Sequence, residues 1–201
     1  MPVYDLTLPI NDRTPVFPGD PAAEIVPFYT IEKDHWNIKK LTFPSHFGTH
    51  IDAPYHMFEN GKKLTDFPME KFTGEGTVID VRGQKEIVDN LEKVHQGDIV
   101  FFYTQHIDNV YAKNFFSNNP VISVKTAQLL VKKKVKIVGI DSFSPDNEPF
   151  EVHRLLLSHE ILIIENLVNL NKLIDKRFEC YALPLKLENA DGTPCRVIAK
   201  I

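Results

Sequence analysis

The sequence predicts an α/β fold with a mixed sheet and a barrel-like β component. Three observations carry this: strand-like runs crowd both ends of the chain, strands alternate with helices between Ile99 and Leu167, and no repeat or compositional break divides the 201 residues. The strand runs, rich in β-branched and aromatic residues, lie at Val3 to Leu8, Glu24 to Thr30, Ile38 to Phe43, Gly76 to Val81, Ile99 to Thr104, Val135 to Asp141, Ile161 to Leu167, Phe178 to Leu187 and Arg196 to Ile201.

Helical signals fall in the second half. Ser123 suits the N-cap of a helix running to about Lys134, and Pro149 suits the first turn of another ending near Ser158. A weaker helical pattern covers Lys85 to Val94. Strand, helix, strand, helix, strand from Ile99 to Leu167 reads as βαβ units, so a mostly parallel central sheet is expected, with the flanking strands in a second β layer. One domain over residues 1–201 is expected, long enough to bury roughly 70% of the surface its unfolded chain exposes.

Composition excludes some function classes. With 43% hydrophobic and 25% charged residues the chain reads as globular, and a net charge of -4 argues against a sequence-independent grip on nucleic acid. The short basic run Lys132-Lys133-Lys134 fits the negative end of a helix dipole. Neither a signal peptide nor eighteen consecutive apolar residues occurs, so a cytoplasmic protein with no membrane partner is expected. Cys180 and Cys195 lack CxxC spacing and are expected as free core thiols. The proline-rich stretches Pro15 to Pro21 and Ser144 to Pro149 cannot be interior strand or helix and are candidate pocket rims.

The chemistry concentrates between residues 46 and 56. His46, His50, Asp52 and His56 all occupy even positions, which share one face of an extended chain while Phe47, Ile51 and Tyr55 point to the core. Pro44, Gly48 and Pro54 argue against a helix. A straight strand would hold His46 and His50 roughly 13 Å apart, so the chain must bend, and Gly48 can supply the bend. Imidazole beside carboxylate suits zinc or manganese.

Two later residues join the candidates. His153 falls on the apolar face of its helix and, from that segment alone, reads as a hydrogen-bonded core histidine. Glu165 ends a run of four apolar residues, where a carboxylate needs a cation or donors to offset its desolvation. His35, His95, His106 and His159 are assigned no role.

The segment His46-Phe-Gly-Thr-His50-Ile-Asp52-Ala-Pro-Tyr-His56 resembles the cyclase family of metal-dependent hydrolases, which includes bacterial kynurenine formamidases and isatin hydrolases. It matches every fixed position of His-x-Gly-Thr-His-x-Asp-x-Pro-x-His. Further likeness lies at Tyr4 to Thr7, Phe17 to Asp20, Gly139 to Asp146, His153 to Leu156, Glu165 to Leu167, Ala182 to Leu185 and Asp191 to Arg196.

The resemblance implies a swivelling β/β/α-type fold, a homodimer or homotetramer, and hydrolysis of a small aromatic amide. It implies two divalent ions, zinc first and manganese second. His46, His50 and Asp52 would hold one ion, Asp52 would bridge to a second held by His153, and Glu165 would bridge both. His56 would stay uncoordinated as proton donor and acceptor. Kynurenine formamidases commonly carry a tryptophan before Pro-Gly-Asp; Phe17 stands there in this chain, keeping a stacking wall without the indole N–H. Lactam hydrolysis of the isatin kind, or metal binding without turnover, are the alternatives.

Overall fold

The computed structural model describes residues 1–88 and 91–201. β1 (Val3–Asp5) precedes a hairpin of β2 (Glu24–Tyr29) and β3 (Ile38–Thr42), joined through the single turn α1 (Ile31–Asp34). β4 (His50–Asp52), β5 (Thr73–Asp80), β6 (Glu86–Ile87) and β7 (Ile99–Tyr103) follow. The second half runs β8 (Val121–Ile122), α2 (Val124–Lys132), β9 (Ile137–Ile140), α3 (Glu151–Ser158), β10 (Leu162–Glu165), β11 (Arg177–Pro184) and β12 (Gly192–Lys200).

Seven strands close a mixed barrel in the order β12-β11-β5-β7-β9-β10-β4, with β4 pairing back to β12. β5, β7, β9 and β10 run parallel, as strand–helix alternation predicts. β4, β11 and β12 are antiparallel to their barrel neighbours. Of the flanking strands, β11 and β12 therefore complete the barrel, whereas β2 and β3 form a separate two-stranded sheet. β12 is long enough to hold β4 at Gly192 to Pro194 and β1 at Ile198 to Lys200.

Period-two alternation sorts the side chains into two cores. Ile51, Val78, Phe101, Ile164, Phe178 and Val197, from six different strands, meet inside the barrel. Ile79, Phe102, Val138 and Ile163 face the other way and are covered by Leu130 of α2 and Leu156 of α3. α2 starts where Ser123 Oγ accepts from Thr126 N, the cap that the sequence predicts. Cys180 and Cys195 are buried free thiols whose pKa values burial pushes up.

Three expectations need correction. The weak helix over Lys85 to Val94 is absent at its start, where Glu86–Ile87 instead pairs in parallel with Val121–Ile122 and buries Ile87. Leu91 further along has φ 57°, which is incompatible with a right-handed helix; residues 89 and 90 lie outside the described residues. Pro149 precedes its helix: Phe150 is left-handed, and the Asp146 carboxylate accepts from Val152 N and His153 N, so α3 begins at Glu151. Tyr55 is exposed, because β4 stops at Asp52 and Pro54–His56 forms a 3₁₀ turn that ends the alternation.

The β2–β3 hairpin has no fully buried residue and exposes Phe28, Tyr29, Trp36, Ile38 and Leu41 near it. Among the described residues no helix is long and apolar enough to cross a membrane.

Close packing of the parallel strands depends on Gly139, where a Cβ would lie 2.5 Å from Phe101 and 2.6 Å from Leu167. Gly139→Ala should lower stability by about 1–3 kcal/mol, the usual cost of overpacking, read as a drop in denaturant midpoint at unchanged m-value. An unchanged midpoint would mean that both neighbours can yield freely.

Candidate metal centre

β4 supplies the first two side chains. His50 and Asp52 lie on the face opposite Ile51, so they point out of the barrel while Ile51 points in. Antiparallel pairing sets Glu165 of β10 directly across from His50, placing a carboxylate beside an imidazole on that face. On the other edge Gly192 of β12 is the partner of Asp52, and Asp191 sits just before it.

His46 arrives by a bend. Gly48 has φ +62°, and its carbonyl accepts from both His50 Nδ1 at 2.9 Å and Asn166 Nδ2 at 3.0 Å. Thr49 ties the loop down, donating to Asn166 O at 2.6 Å and accepting from Leu8 N at 2.8 Å. The His46 and His50 rings then lie 5.0 Å apart, far closer than an extended chain would hold them. His46 fits only because residue 192 is glycine: a Cβ there would meet its Cε1 at 2.7 Å. α3 contributes His153 from the first residues of the helix, and the 3₁₀ turn after β4 carries His56, whose ring is 4.0 Å from His46.

Three imidazoles, those of His46, His50 and His153, each have one nitrogen tied to an acceptor. His50 Nδ1 donates to Gly48 O, His153 Nδ1 to Asp146 at 2.5 Å, and His46 Nε2 to Asp191 at 2.9 Å. The remaining nitrogens converge on carboxylates: His46 Nδ1 is 2.8 Å and His50 Nε2 3.5 Å from Asp52 Oδ1, His50 Nε2 is 3.3 Å from Glu165 Oε2, and His153 Nε2 is 3.4 Å from Glu165 Oε1. In the neutral ring such a nitrogen is a lone pair facing an anion, so each position calls for a cation or a proton. His50 Nε2 and both Asp52 oxygens are buried without a hydrogen-bond partner.

Electrostatics follow from this crowding. Burial opposes the charged form of His46, but Asp52 and Asp191 outweigh it and raise its pKa to about 10. His153 is raised to about 10 against the same burial cost by Asp146 and Glu165. Burial would raise Asp52, yet His46 and His50 hold it well below the usual carboxylate range; hydrogen bonds from His46 and His56 do the same for Asp191. Two groups that could hold a metal ion share Asp52: His46, His50 and Asp52, and Asp52, His153 and Glu165. His46, His56 and Asp191 form a third.

The cluster floors a cavity of about 740 Å³, walled by Phe17, Phe115, Phe116, Phe143 and Phe150. Phe17 meets Phe116 edge-on at 5.6 Å and Phe143 at 6.0 Å, so the proline-rich loop that carries it is a rim of the pocket. Ser144 and Asn166 also reach this cavity.

Residues 4–147 match the Cyclase family model, which covers most of the chain and the whole histidine motif. The chain belongs to the cyclase family. A kynurenine formamidase of Bacillus thuringiensis subsp. konkukian (strain 97-27) is 34% identical over 201 residues, covering 98% of this chain and 96% of the relative. A structure from Bacillus stearothermophilus, described as a predicted metal-dependent hydrolase, superposes with a TM-score of 0.82 at 28% identity, covering 98% and 97%. An isatin hydrolase bound to the product analogue thioisatinate gives 0.88 at 23% identity, covering 98% and 91%, a likeness of fold.

All six sequence-selected residues of this cyclase-family chain at the centre meet in one place: His46, His50, Asp52, His56, His153 and Glu165. Phe17 lines the cavity above them. His153 does have the hydrogen bond expected of a core histidine, but only one of its nitrogens is used that way. Sequence reading passed over Asp146, Asp191 and Asn166. The available signal is that all three lie in segments similar to the family. The sequence leaves His106 without a partner, but its Nε2 donates to Phe115 O at 2.8 Å and its ring stacks on that of Phe115.

The raised values of His46 and His153 set a pH dependence for metal-free protein. Their folded pKa values lie above the ordinary 6.5, so the stability they contribute is complete below about pH 6.5 and drains away as pH rises through 10. Melting of metal-free protein should move to lower temperature between pH 7 and 10, and His153→Gln should flatten the slope. A flat profile in the unmodified chain would contradict these assignments.

Proposed function

We propose that the chain is a metal-dependent hydrolase of an aryl formamide C–N bond, with N-formylkynurenine, cleaved to kynurenine and formate, as leading substrate. The observation that carries this is the set of lone pairs and orphaned carboxylate oxygens converging beneath an aromatic cavity. The kynurenine formamidase relatives, matched over nearly their whole length, support the substrate class.

The donor set fits two divalent ions. His46, His50 and Asp52 would hold one; Asp52, His153 and Glu165 would hold the other, with Glu165 also facing His50. The third group is a poorer host, because His46 and Asp191 already satisfy each other, whereas the unpartnered atoms belong to the other two groups. Zinc suits three imidazoles and carboxylates, with manganese next. Bound there, such an ion lowers the pKa of water from 15.7 to roughly 7 and polarises a carbonyl.

The chain supplies the rest. Phe17, Phe116 and Phe143 stack on the aryl ring and keep water from its faces. His56 is the most exposed imidazole of the cluster, at 32% of its side chain, and its Nδ1 lies 3.6 Å from Asp191 Oδ2. That arrangement leaves Nε2 to collect a proton from the attacking water and deliver it to the departing amine nitrogen.

A single domain over residues 1–201 agrees with the matched lengths of the relatives. A cytoplasmic enzyme of tryptophan catabolism accords with the free thiols and the substrate. A homodimer or homotetramer would cover the apolar β2–β3 hairpin. Cyclic amides of the isatin type are the second substrate class, favoured by the fold likeness.

Chelation should abolish N-formylkynurenine hydrolysis, and zinc or manganese should restore it with two equivalents bound. His50→Ala should lose metal and activity together. His56→Ala should keep both ions and lose about 10²- to 10⁴-fold in kcat. Chelator-insensitive turnover, or a His56→Ala protein stripped of metal, would falsify these roles.

A further inference from the structure

α3 sends two consecutive side chains to one cavity. His153 is buried against Asp52 and Glu165, while Arg154, about 100° further round the helix, is exposed and lines the same space. Among the residues lining that cavity, Arg154 is the only lysine or arginine.

The other four arginines are all engaged. Arg82 pairs with Asp80, Arg177 with Asp98 and Arg196 with Asp5, and Arg13 lies over the ring of Tyr111. The Arg154 guanidinium has no such partner among the described residues; its backbone N–H bonds to Phe150 O. Asp20, in the turn after Phe17, lines the cavity too, and its carboxylate is likewise unpaired among the described residues, its backbone N–H bonding to Phe17 O. A guanidinium and a carboxylate, both free, thus border an apolar cavity whose floor carries three further carboxylates, Asp52, Glu165 and Asp191.

That charge pattern selects among aryl formamides. Of the floor carboxylates, Asp52 and Glu165 would hold the metal ions and Asp191 is paired with His46, so the free charges left to meet an ionic arm are those on the wall, and a guanidinium meets a carboxylate with two parallel hydrogen bonds. We propose that Arg154 binds the carboxylate, and Asp20 the ammonium, of an α-amino-acid arm carried by the aryl formamide. The arm is held at the exposed side of α3 while the formamide lies against the buried face that carries His153. This rests on the formamidase reading and deepens it: the enzyme is built for an amino-acid substrate and discriminates against a neutral aryl formamide or lactam.

The test compares N-formylkynurenine with 2-formamidoacetophenone, the same aryl ketone without the amino-acid arm, on metal-loaded protein. The unmodified chain should prefer the first. Arg154→Ala should lose about 10- to 100-fold more kcat/KM on N-formylkynurenine than on the ketone, chiefly through KM, the span of a charged hydrogen bond at a partly open site. Arg154→Lys should recover part of the loss, and Asp20→Asn should also weaken the preference. Kynurenine binding by calorimetry gives an independent reading and should weaken in step. Equal losses on both compounds, or no preference in the unmodified chain while both are hydrolysed, would overturn the proposal and leave the formamidase reading standing. Hydrolysis of neither compound would overturn both.

Discussion

Three residues of backbone hold the site together. β4 is only His50 to Asp52, yet it is hydrogen-bonded on both edges, to β10 and to β12, and so closes the barrel. A strand of that length has little stability of its own; both ladders must form for it to exist. Once they do, register alone decides which groups meet. Glu165 is set across from His50, Asp191 is set beside Asp52, and Ile51 is driven into the barrel as the plug between them.

Closure also concentrates groups that repel each other. Asp52, Glu165 and the free nitrogens of three histidines are drawn into a volume where water cannot screen them, and burying unpaired charge is among the costliest things a fold can do. The surrounding structure offsets this by fixing the far nitrogen of each ring on Gly48 O, Asp146 or Asp191. Those outer acceptors settle which tautomer each ring adopts and therefore which way its lone pair points. Under the metal-dependent reading proposed above, these outer contacts would set the orientation of the ligands in advance.

Much of this was legible residue by residue. Long apolar runs such as Ile99 to Tyr103 announce strands covered on both faces, and the alternation of helices between them announces parallel pairing. The motif from His46 to His56 marked the centre, and Gly48 marked the bend. What stayed hidden was whatever depends on partners distant in sequence. Nothing in Glu86–Ile87 reveals that Val121–Ile122 will pair with it, so a helical pattern there misleads. Alternation predicts Tyr55 inside because it assumes the strand continues, and it stops at Asp52. Asp191 looks like a turn aspartate until β12 is docked against β4, and Arg154 looks like solvent-facing helix until the cavity is in view.

The pairing of residues near 50 with residues near 192 also sets an order of assembly. The parallel strands β5, β7, β9 and β10 can collapse with α2 and α3 as each emerges from the ribosome, since their contacts lie within one stretch of chain. The histidine segment is made early and must wait. Until β12 has cleared the exit tunnel there is no second ladder for β4, no Asp191 for His46 and no closed barrel. For that interval His46, His50, Asp52 and His56 lack the neighbours that set their geometry, and β12 supplies them only after the parallel strands are made.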